Sequence, residues 1–201
     1  MTSRNVLPPH ERAEAIVDAA TSVYAAKGLS RTTVADVARA AHVTRGLVYH
    51  YFPEPDDLVD AVLDRLVAQF VDDVRAWDES RTVGAVGAAL DDVVRLFRRQ
   101  VRHHDPLRID LRRVENAALY QRFIDRAVTA VVDRLQLTTV EDYARRHRIE
   151  ISHVRETFVV LVHGLVALAR VQPDVGDDVL AAVVRQVLRL DVLGEVPSSA
   201  G

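Results

Sequence analysis

The sequence predicts an all-α protein, on two observations. Apolar residues recur at the three- and four-residue spacing of an amphipathic helix through most of the 201 residues. No stretch of useful length alternates apolar and polar residues as a strand does. Hydrophobic residues make up 49% of the chain, which is enough to bury a substantial core in one or two domains.

The first predicted helix runs from Glu11 to Lys27. It follows two prolines, and Gly28 stands at a favourable position for ending it. The apolar stripe of this helix supplies a packing surface for the two helices that follow. The stripe consists of Ala13, Ile16, Val17, Ala20, Val23 and Tyr24.

Two short helices come next, each with a hydroxyl residue at its start. Thr33 precedes Asp36 by three positions, as in a capping box, and Thr44 is placed to cap the following helix. In that following helix, Leu47 and Val48 point inward. Its opposite face carries Thr44, Arg45, Gly46, Tyr49 and His50.

This polar face suits a nucleic acid. Arginine can fork onto a guanine edge or a phosphate, and tyrosine and histidine can donate hydrogen bonds to phosphate oxygens. Residues 1–52 carry six lysines and arginines against four carboxylates, whereas the remainder carries 20 against 25. An ordinary helical hairpin with a solvated face fits the same residues, so the pattern by itself leaves both interpretations open.

Pro53 and Pro55 set a sharp boundary after Phe52, because a proline disfavours helix in the residue before it. Helical spacing then continues toward the C-terminus. Thr138 with Glu141 predicts a capping box, and Ser152 predicts a further cap. The predicted helices span residues 56–79, 83–103, 106–117, 118–137, 138–148, 152–171 and 176–193.

The last two long helices are apolar on two sides, which predicts that each helix is covered on both of those sides. The second burial is either inside a monomer or against another copy of the chain. We favour the second copy, in a two-fold four-helix interface. The candidate interface residues are Leu161, Leu165, Leu168, Val183, Val187 and Leu190.

Aromatic and polar side chains of the middle and later helices are candidates for lining a small-molecule pocket. Each of them is also accounted for by core packing, by a satisfied buried hydrogen bond or by an interface. The candidates are Trp77, Phe97, Asn116, Tyr120, Phe123, Phe158 and His163.

Several classes of protein are disfavoured. The chain has no cysteine, and its histidines and carboxylates show no zinc-ligand spacing, so we expect no metal and no other cofactor. The N-terminus lacks the apolar segment of a secretory signal, and the longest apolar run is too short to span a bilayer. Neither a nucleophile elbow nor a phosphate loop is present. We therefore expect a cytoplasmic protein without a membrane partner or enzymatic activity.

Residues 28–52 resemble the DNA-binding domain of the TetR family of transcriptional repressors. The family pattern is a glycine, a threonine pair, a helix with Ile/Val-Ala, a small-residue turn, a capping hydroxyl, a glycine and Leu-Tyr-x-His/Tyr-Phe. These features stand here at Gly28, Thr32, Thr33, Asp36 to Ala38, Val43, Thr44, Gly46, Val48 to Tyr51 and Phe52.

Two positions depart from the family pattern. The family usually has a lysine as a phosphate clamp where Glu54 and Pro55 stand, and a turn glycine where His42 stands. Histidine tolerates the left-handed conformation better than most residues, at some cost. We therefore expect fewer phosphate contacts than in a typical member of the family.

The resemblance implies three regions. Residues 1–52 would form a helix-turn-helix DNA-binding domain, residues 53–195 a helical effector-binding and dimerisation domain, and residues 196–201 a flexible tail. It further implies a ligand-responsive regulator, most simply a repressor, that binds a palindromic double-stranded operator as a homodimer and responds to a small molecule.

In this hypothesis Thr33, Tyr49 and His50 hold phosphates. Thr44 caps its helix and contacts the backbone of the DNA, while Arg45 and the backbone at Gly46 read the major groove. Two other classes stay open. One is a helical ligand-binding or adaptor protein that has lost DNA binding, and the other is a helical enzyme, for which the sequence offers no catalytic residues.

Overall fold

The computed structural model describes residues 8–82, 85–145 and 151–190. These residues form helices and no strand, which confirms the predicted all-α class. The α-helices of the described part are α1 (Pro9–Lys27), α2 (Val34–Ala40), α3 (Arg45–Tyr51), α4 (Pro55–Ser80), α5 (Val86–Val101), α6 (Pro106–Leu111), α7 (Ala117–Leu135), α8 (Glu141–Ala144), α9 (Val154–Val171) and α10 (Asp177–Leu188). None of them is both long enough and apolar enough to cross a membrane.

The chain divides into two compact units, each built from two segments. The N-terminal unit contains the described residues up to Ala68 together with His103–Phe123. The C-terminal unit contains Gln69–Arg102 and the described residues from Ile124 onward. The predicted division into functional domains at residue 52 concerns activity rather than compactness, and it stays a prediction.

The core of the N-terminal unit is aliphatic. It is supplied by the inward faces of α1, α2 and α3, the first part of α4, and α6, whose apolar residues recur at helical spacing. Burial of this kind is the main source of stability for such short helices, which are marginal in isolation. The most buried of these residues are Ile16, Ala20, Val37, Val48, Leu58, Val62, Leu63, Leu107 and Leu111.

The C-terminal unit contains two hydrophobic clusters. One cluster draws on α5, α9 and α10 and contains Leu90, Val94, Leu161, Leu165, Leu180, Ala181 and Val184. The other draws on α4, α5 and α7 and contains Val74, Leu96, Val131 and Leu135. Helices α5, α9 and α10 also pack pairwise against one another.

Most predicted helix bounds agree with the structure to within two or three residues, and two differ by more. Helix α6 ends at Leu111, six residues before its predicted end, and a short 3-10 helix (Val114–Asn116) leads into α7. The last helix ends at Leu188, because Arg189 is left-handed (φ 53°) and stops the α-helical ladder. The predicted start at residue 83, the end at 148 and the tail at 196–201 lie outside the described residues.

The predicted cap at Thr138 is wrong. The chain stays helical from α7 through a π-helical turn (Gln136–Val140) into α8, so no helix begins at Thr138. Its hydroxyl instead donates to the Arg134 carbonyl at 3.1 Å. The predicted cap at Ser152 is also wrong, since His153 occupies the N-cap position of α9 and that helix has no side-chain cap.

Candidate nucleic-acid interface

Helix α2 begins in the predicted capping box. The Thr33 hydroxyl oxygen accepts from the Asp36 N–H at 3.3 Å, and the Asp36 carboxylate accepts from the Thr33 N–H at 3.0 Å. Asp36 also accepts from Lys27 and from the Thr33 hydroxyl. The hydrogen bonds from Lys27 and Thr33 lower the pKa of Asp36 well below its ordinary range.

The turn between α2 and α3 is closed by backbone hydrogen bonds. His42 is left-handed, with φ 55°, in the place where the family pattern has glycine. The next N–H, that of Val43, donates to the Ala38 carbonyl at 2.9 Å. Histidine therefore makes the tight turn in spite of its Cβ, at a cost of about 1 kcal/mol relative to glycine.

Helix α3 begins with the predicted cap at Thr44, whose hydroxyl accepts from the Leu47 N–H at 3.2 Å. Val48 is buried and fixes the inner face of α3 within the unit. Because the outer face is rotated away from Val48, its side chains reach solvent. The exposed residues of this face are Thr44, Arg45, Gly46, Tyr49 and His50, as the sequence predicted.

Two features of this surface bear on its chemistry. A Cβ placed on Gly46 would meet only the Thr44 hydroxyl oxygen, at an ordinary 3.9 Å, so packing within the described residues does not explain the glycine. The ring of His50 lies edge-on to that of Tyr51, with centroids 5.2 Å apart, which orients the imidazole. The face thus presents one guanidinium, one phenol and one imidazole beside an unobstructed stretch of backbone.

Thr33 is exposed, but its hydroxyl proton goes to the Asp36 carboxylate at 2.7 Å. It can donate to a phosphate only after giving up that hydrogen bond.

The segment that follows α3 is acidic, since Glu54, Asp56 and Asp57 are all exposed, and Asp57 accepts from the Glu54 N–H at 2.8 Å. The acidic exit therefore supplies no cation to a phosphate.

The predicted pocket residues fall in both compact units. Trp77 and Phe158 pack against the cluster around Val131, and Phe97 packs against the cluster around Leu165. The partly exposed His163 lies 3.9 Å from an Asp125 carboxylate oxygen. The three remaining candidates, Asn116, Tyr120 and Phe123, belong to the N-terminal unit.

The predicted interface residues, by contrast, do lie together. Five of the six line a single open groove of about 530 Å³ between α9 and α10, namely Leu161, Leu165, Leu168, Val183 and Val187. The sixth, Leu190, packs against the cluster around Leu165. Val160 also lines the groove and is exposed, and α9 and α10 further expose Val171 and Val179. We call this groove and its exposed valines the α9–α10 face.

One buried polar group in the N-terminal unit was missed at the sequence level. Asp110, on α6, is buried and accepts a hydrogen bond from the Leu29 N–H. The available signal was its spacing, because Asp110 lies on the same helical face as Leu107 and Leu111, which are both buried. A carboxylate on such a face needs hydrogen-bond donors nearby.

These observations define a class of protein, a helical protein with an N-terminal helix-turn-helix whose second helix exposes a polar face. Residues 16–62 match the family model described as bacterial regulatory proteins, tetR family. The N-terminal helix-turn-helix is therefore similar to the DNA-binding domain of that family.

Known proteins similar to the chain agree with this assignment. The chain is 40% identical over 67 residues to the HTH-type transcriptional regulator LuxR of Vibrio harveyi, covering 33% of each chain. It is 42% identical over 67 residues to the HTH-type transcriptional repressor Rv3405c of Mycobacterium tuberculosis, covering 32% of this chain and 36% of that one. The chain thus spans about a third of the length of these curated relatives.

Similarity of fold extends much further along the chain. The crystal structure of RolR in complex with resorcinol matches with a TM-score of 0.62 at 16% identity, over 90% of this chain and 87% of that one. A TetR-family regulator from Pectobacterium atrosepticum matches with a TM-score of 0.65 at 17% identity, over 93% and 95%. The helical region after the helix-turn-helix therefore has the fold found in these regulators.

Proposed function

We propose that the chain is a ligand-responsive transcriptional regulator that binds a palindromic operator as a homodimer, and that it acts as a repressor. The observation that carries the proposal is the exposed face of α3, on a helix-turn-helix that matches the tetR family. Of the two relatives described above, one is named a transcriptional regulator and the other a transcriptional repressor.

The chemistry of the α3 face supports contact with DNA. Arg45 is exposed at the N-terminal end of α3, the end that recognition helices present to base edges. Tyr49, one turn further on, and His50 are placed to donate to phosphates. At Gly46 the lack of a side chain lets a DNA backbone approach the helix closely, which gives the glycine a reason that intramolecular packing does not supply.

The α9–α10 face supports a homodimer. Val160 is 72% exposed and Val171 73% exposed, which is unusual for valines that share one side of a helix pair. A second copy placed by a two-fold axis would cover the same face on both chains. It would also supply the second α3 that a palindrome requires.

The acidic exit at Glu54 and Asp56 favours a second candidate, a ligand-binding or adaptor protein that has lost DNA binding. An acidic surface next to α3 repels phosphates. The candidate predicts retained ligand binding without a DNA complex. Under both proposals the chain acts in the cytoplasm, binds a small molecule and catalyses no reaction.

A band-shift assay tests the proposal directly. The probes are duplexes that tile the DNA flanking the protein's own gene, and the control is a scrambled duplex of equal base composition. We expect saturable binding to one palindromic segment and about a thousandfold weaker binding to the scrambled duplex. Equal affinity for every duplex, or no complex at low salt, would overturn the proposal.

A further inference from the structure

A buried carboxylate joins α6 to the turn between α1 and α2, within the N-terminal unit. Asp110 is 8% exposed, and its Oδ2 accepts a hydrogen bond from the backbone N–H of Leu29 at 2.7 Å. The two residues are 81 positions apart in the sequence. Burying a carboxylate is costly unless donors meet its charge, so the donors around Asp110 are informative.

The segment around Asp110 holds its carboxylate in place. The side-chain amide of Asn116 donates to the same Oδ2 at 3.2 Å and to the Asp110 carbonyl at 2.8 Å. The Nε of Arg113 lies 3.5 Å from the other carboxylate oxygen. The carboxylate is therefore oriented by its own segment, and the Leu29 N–H is its partner from the helix-turn-helix side.

The turn is shaped to receive this carboxylate. Gly28 has φ 90°, a conformation that side chains rarely adopt, and a Cβ there would lie 3.1 Å from an Asp110 carboxylate oxygen. Glycine thus satisfies both the backbone conformation and the close approach. Leu29 itself is buried, so removing the carboxylate would leave its N–H without its hydrogen-bond acceptor in a largely apolar environment.

Fixing Leu29 also fixes the start of α2. The Thr32 N–H donates to the Leu29 carbonyl at 3.3 Å, and the Thr32 hydroxyl donates to the Gly28 carbonyl at 2.7 Å. The next residue, Thr33, is the N-cap of α2. The turn is therefore one hydrogen-bonded piece that ends at the first residue of the helix-turn-helix.

We propose that Asp110 is a positioning residue for DNA binding. By accepting the Leu29 N–H, its carboxylate holds the α1–α2 turn on α6 and sets the placement of α2 and α3 within the unit. The inference rests on the proposed function, since the consequence of losing the contact is measured as DNA affinity. Recognition helices require supporting residues that hold them in one geometry, because displaced hydrogen-bond donors miss their acceptors.

The test compares Asp110→Ala with Asp110→Asn and with the matched control Glu115→Ala. Alanine removes the acceptor, whereas asparagine keeps one oxygen that can accept from both Leu29 and Asn116. Glu115 is an exposed carboxylate of the same segment that pairs with Arg113. Three quantities are measured for each variant, namely the melting temperature, the hydrogen-exchange rate of the Leu29 amide by NMR, and the affinity for a duplex that the unmodified chain selects from a random library.

We expect Asp110→Ala to speed exchange at Leu29 and to weaken DNA binding, each about tenfold or more, at a temperature where the variant is folded. Asp110→Asn keeps the exchange rate and the DNA affinity within about threefold of those of the unmodified chain, because it restores the acceptor. Glu115→Ala changes neither value. Should Asp110→Ala fail to fold, Asn116→Ala takes its place. We expect it to speed exchange at Leu29 and to weaken DNA binding by smaller factors.

Two results would overturn the proposal. Unchanged exchange at Leu29 in Asp110→Ala would mean that the carboxylate does not hold this N–H. Faster exchange with unchanged DNA affinity would mean that the contact exists but does not position the helix-turn-helix. If the unmodified chain selects no duplex, the proposed function fails and takes the positioning role with it, while the Leu29 exchange rate still reports whether the contact forms.

Discussion

The α2–α3 pair and the α9–α10 pair are both helical hairpins with a large exposed surface, but they are built differently. The first consists of two seven-residue helices, each started by a threonine cap, and its exposed face is polar. The second consists of helices of 18 and 12 residues without side-chain caps, and its exposed face is rich in valine.

The difference follows from what stabilises each pair. Seven-residue helices bury little apolar surface, so capping hydrogen bonds are a large share of their stability. Longer helices that pack on an aliphatic cluster need no such caps. The exposed faces then indicate different partners, because a polar face with arginine suits a polyanion and an apolar face suits another apolar surface.

The largest expected effect lies on the α9–α10 face. Val160→Glu places a carboxylate in the proposed interface twice, once from each copy, where its desolvation is not compensated. We expect the dissociation constant of the dimer to rise at least about a hundredfold, or about 3 kcal/mol, by sedimentation equilibrium. The matched control is Val114→Glu in the N-terminal unit, where the valine is 91% exposed and off this face. Unaltered association of the Val160 variant would remove the face from the interface.

The next effect concerns the polar face. Arg45→Ala removes the one guanidinium of α3, and we expect a loss of discrimination between operator and scrambled duplex of about 1–3 kcal/mol. Band shifts on both duplexes measure it, with the exposed Arg75→Ala of the C-terminal unit as the control. If the variant weakens on both duplexes equally, Arg45 is a phosphate contact and does not read bases.

Substitutions at helix caps test the difference between the capped α2–α3 pair and the uncapped α9–α10 pair. Thr44→Ala should lower the free energy of unfolding by about 1 kcal/mol in urea denaturation, and Thr44→Ser should recover most of it. Ser152→Ala should change the same quantity by no more than a few tenths of a kcal/mol, because α9 has no side-chain cap. A destabilised Ser152 variant would contradict the difference drawn between the two hairpins.

The smallest expected effect is a pH dependence in the C-terminal unit. Burial raises the pKa of Asp78, but hydrogen bonds from Arg81 and Thr139 more than offset it, and the net pKa is lowered. The contribution of Asp78 to stability is therefore complete above the unfolded pKa of about 3.9 and is lost as pH falls below it. It is small because the two causes oppose each other.

Urea denaturation at pH 7 and at pH 3 measures this contribution. The difference in unfolding free energy between the unmodified chain and Asp78→Asn should shrink at the lower pH. The exposed Asp174→Asn serves as the control for replacing a carboxylate in the same unit. A gap for Asp78→Asn that persists at pH 3 would show that packing, and not charge, is responsible.

Local signals in the sequence predicted local structure well. The left-handed conformation of His42 agrees with the turn glycine that the family pattern has at this position. The caps at Thr33 and Thr44 depend on a few neighbouring residues, and both are confirmed. The same reasoning failed at Thr138 and Ser152. A capping residue works only where a helix actually begins, and the chain is already helical at Thr138, while His153 occupies the N-cap position of α9.

The candidate site divides in the same way. The exposed side of α3 follows from the 3.6-residue period once Val48 is known to face inward, so the sequence predicts its residues. The pocket candidates share only an aromatic or polar character, which carries no information about distance. Within the C-terminal unit, the structure places Phe97 against one cluster and Trp77 and Phe158 against the other.

By itself, then, the sequence determined the helical class, the helix-turn-helix and the residues on its outer face, because periodicity and capping act within a few residues of the chain. Only the tertiary structure decided which exposed valines lie side by side on α9 and α10. It also decided that Asp110 meets the N–H of Leu29. Contacts between residues 81 positions apart depend on how whole helices pack, and that packing is set by the summed burial of the core and not by any local signal.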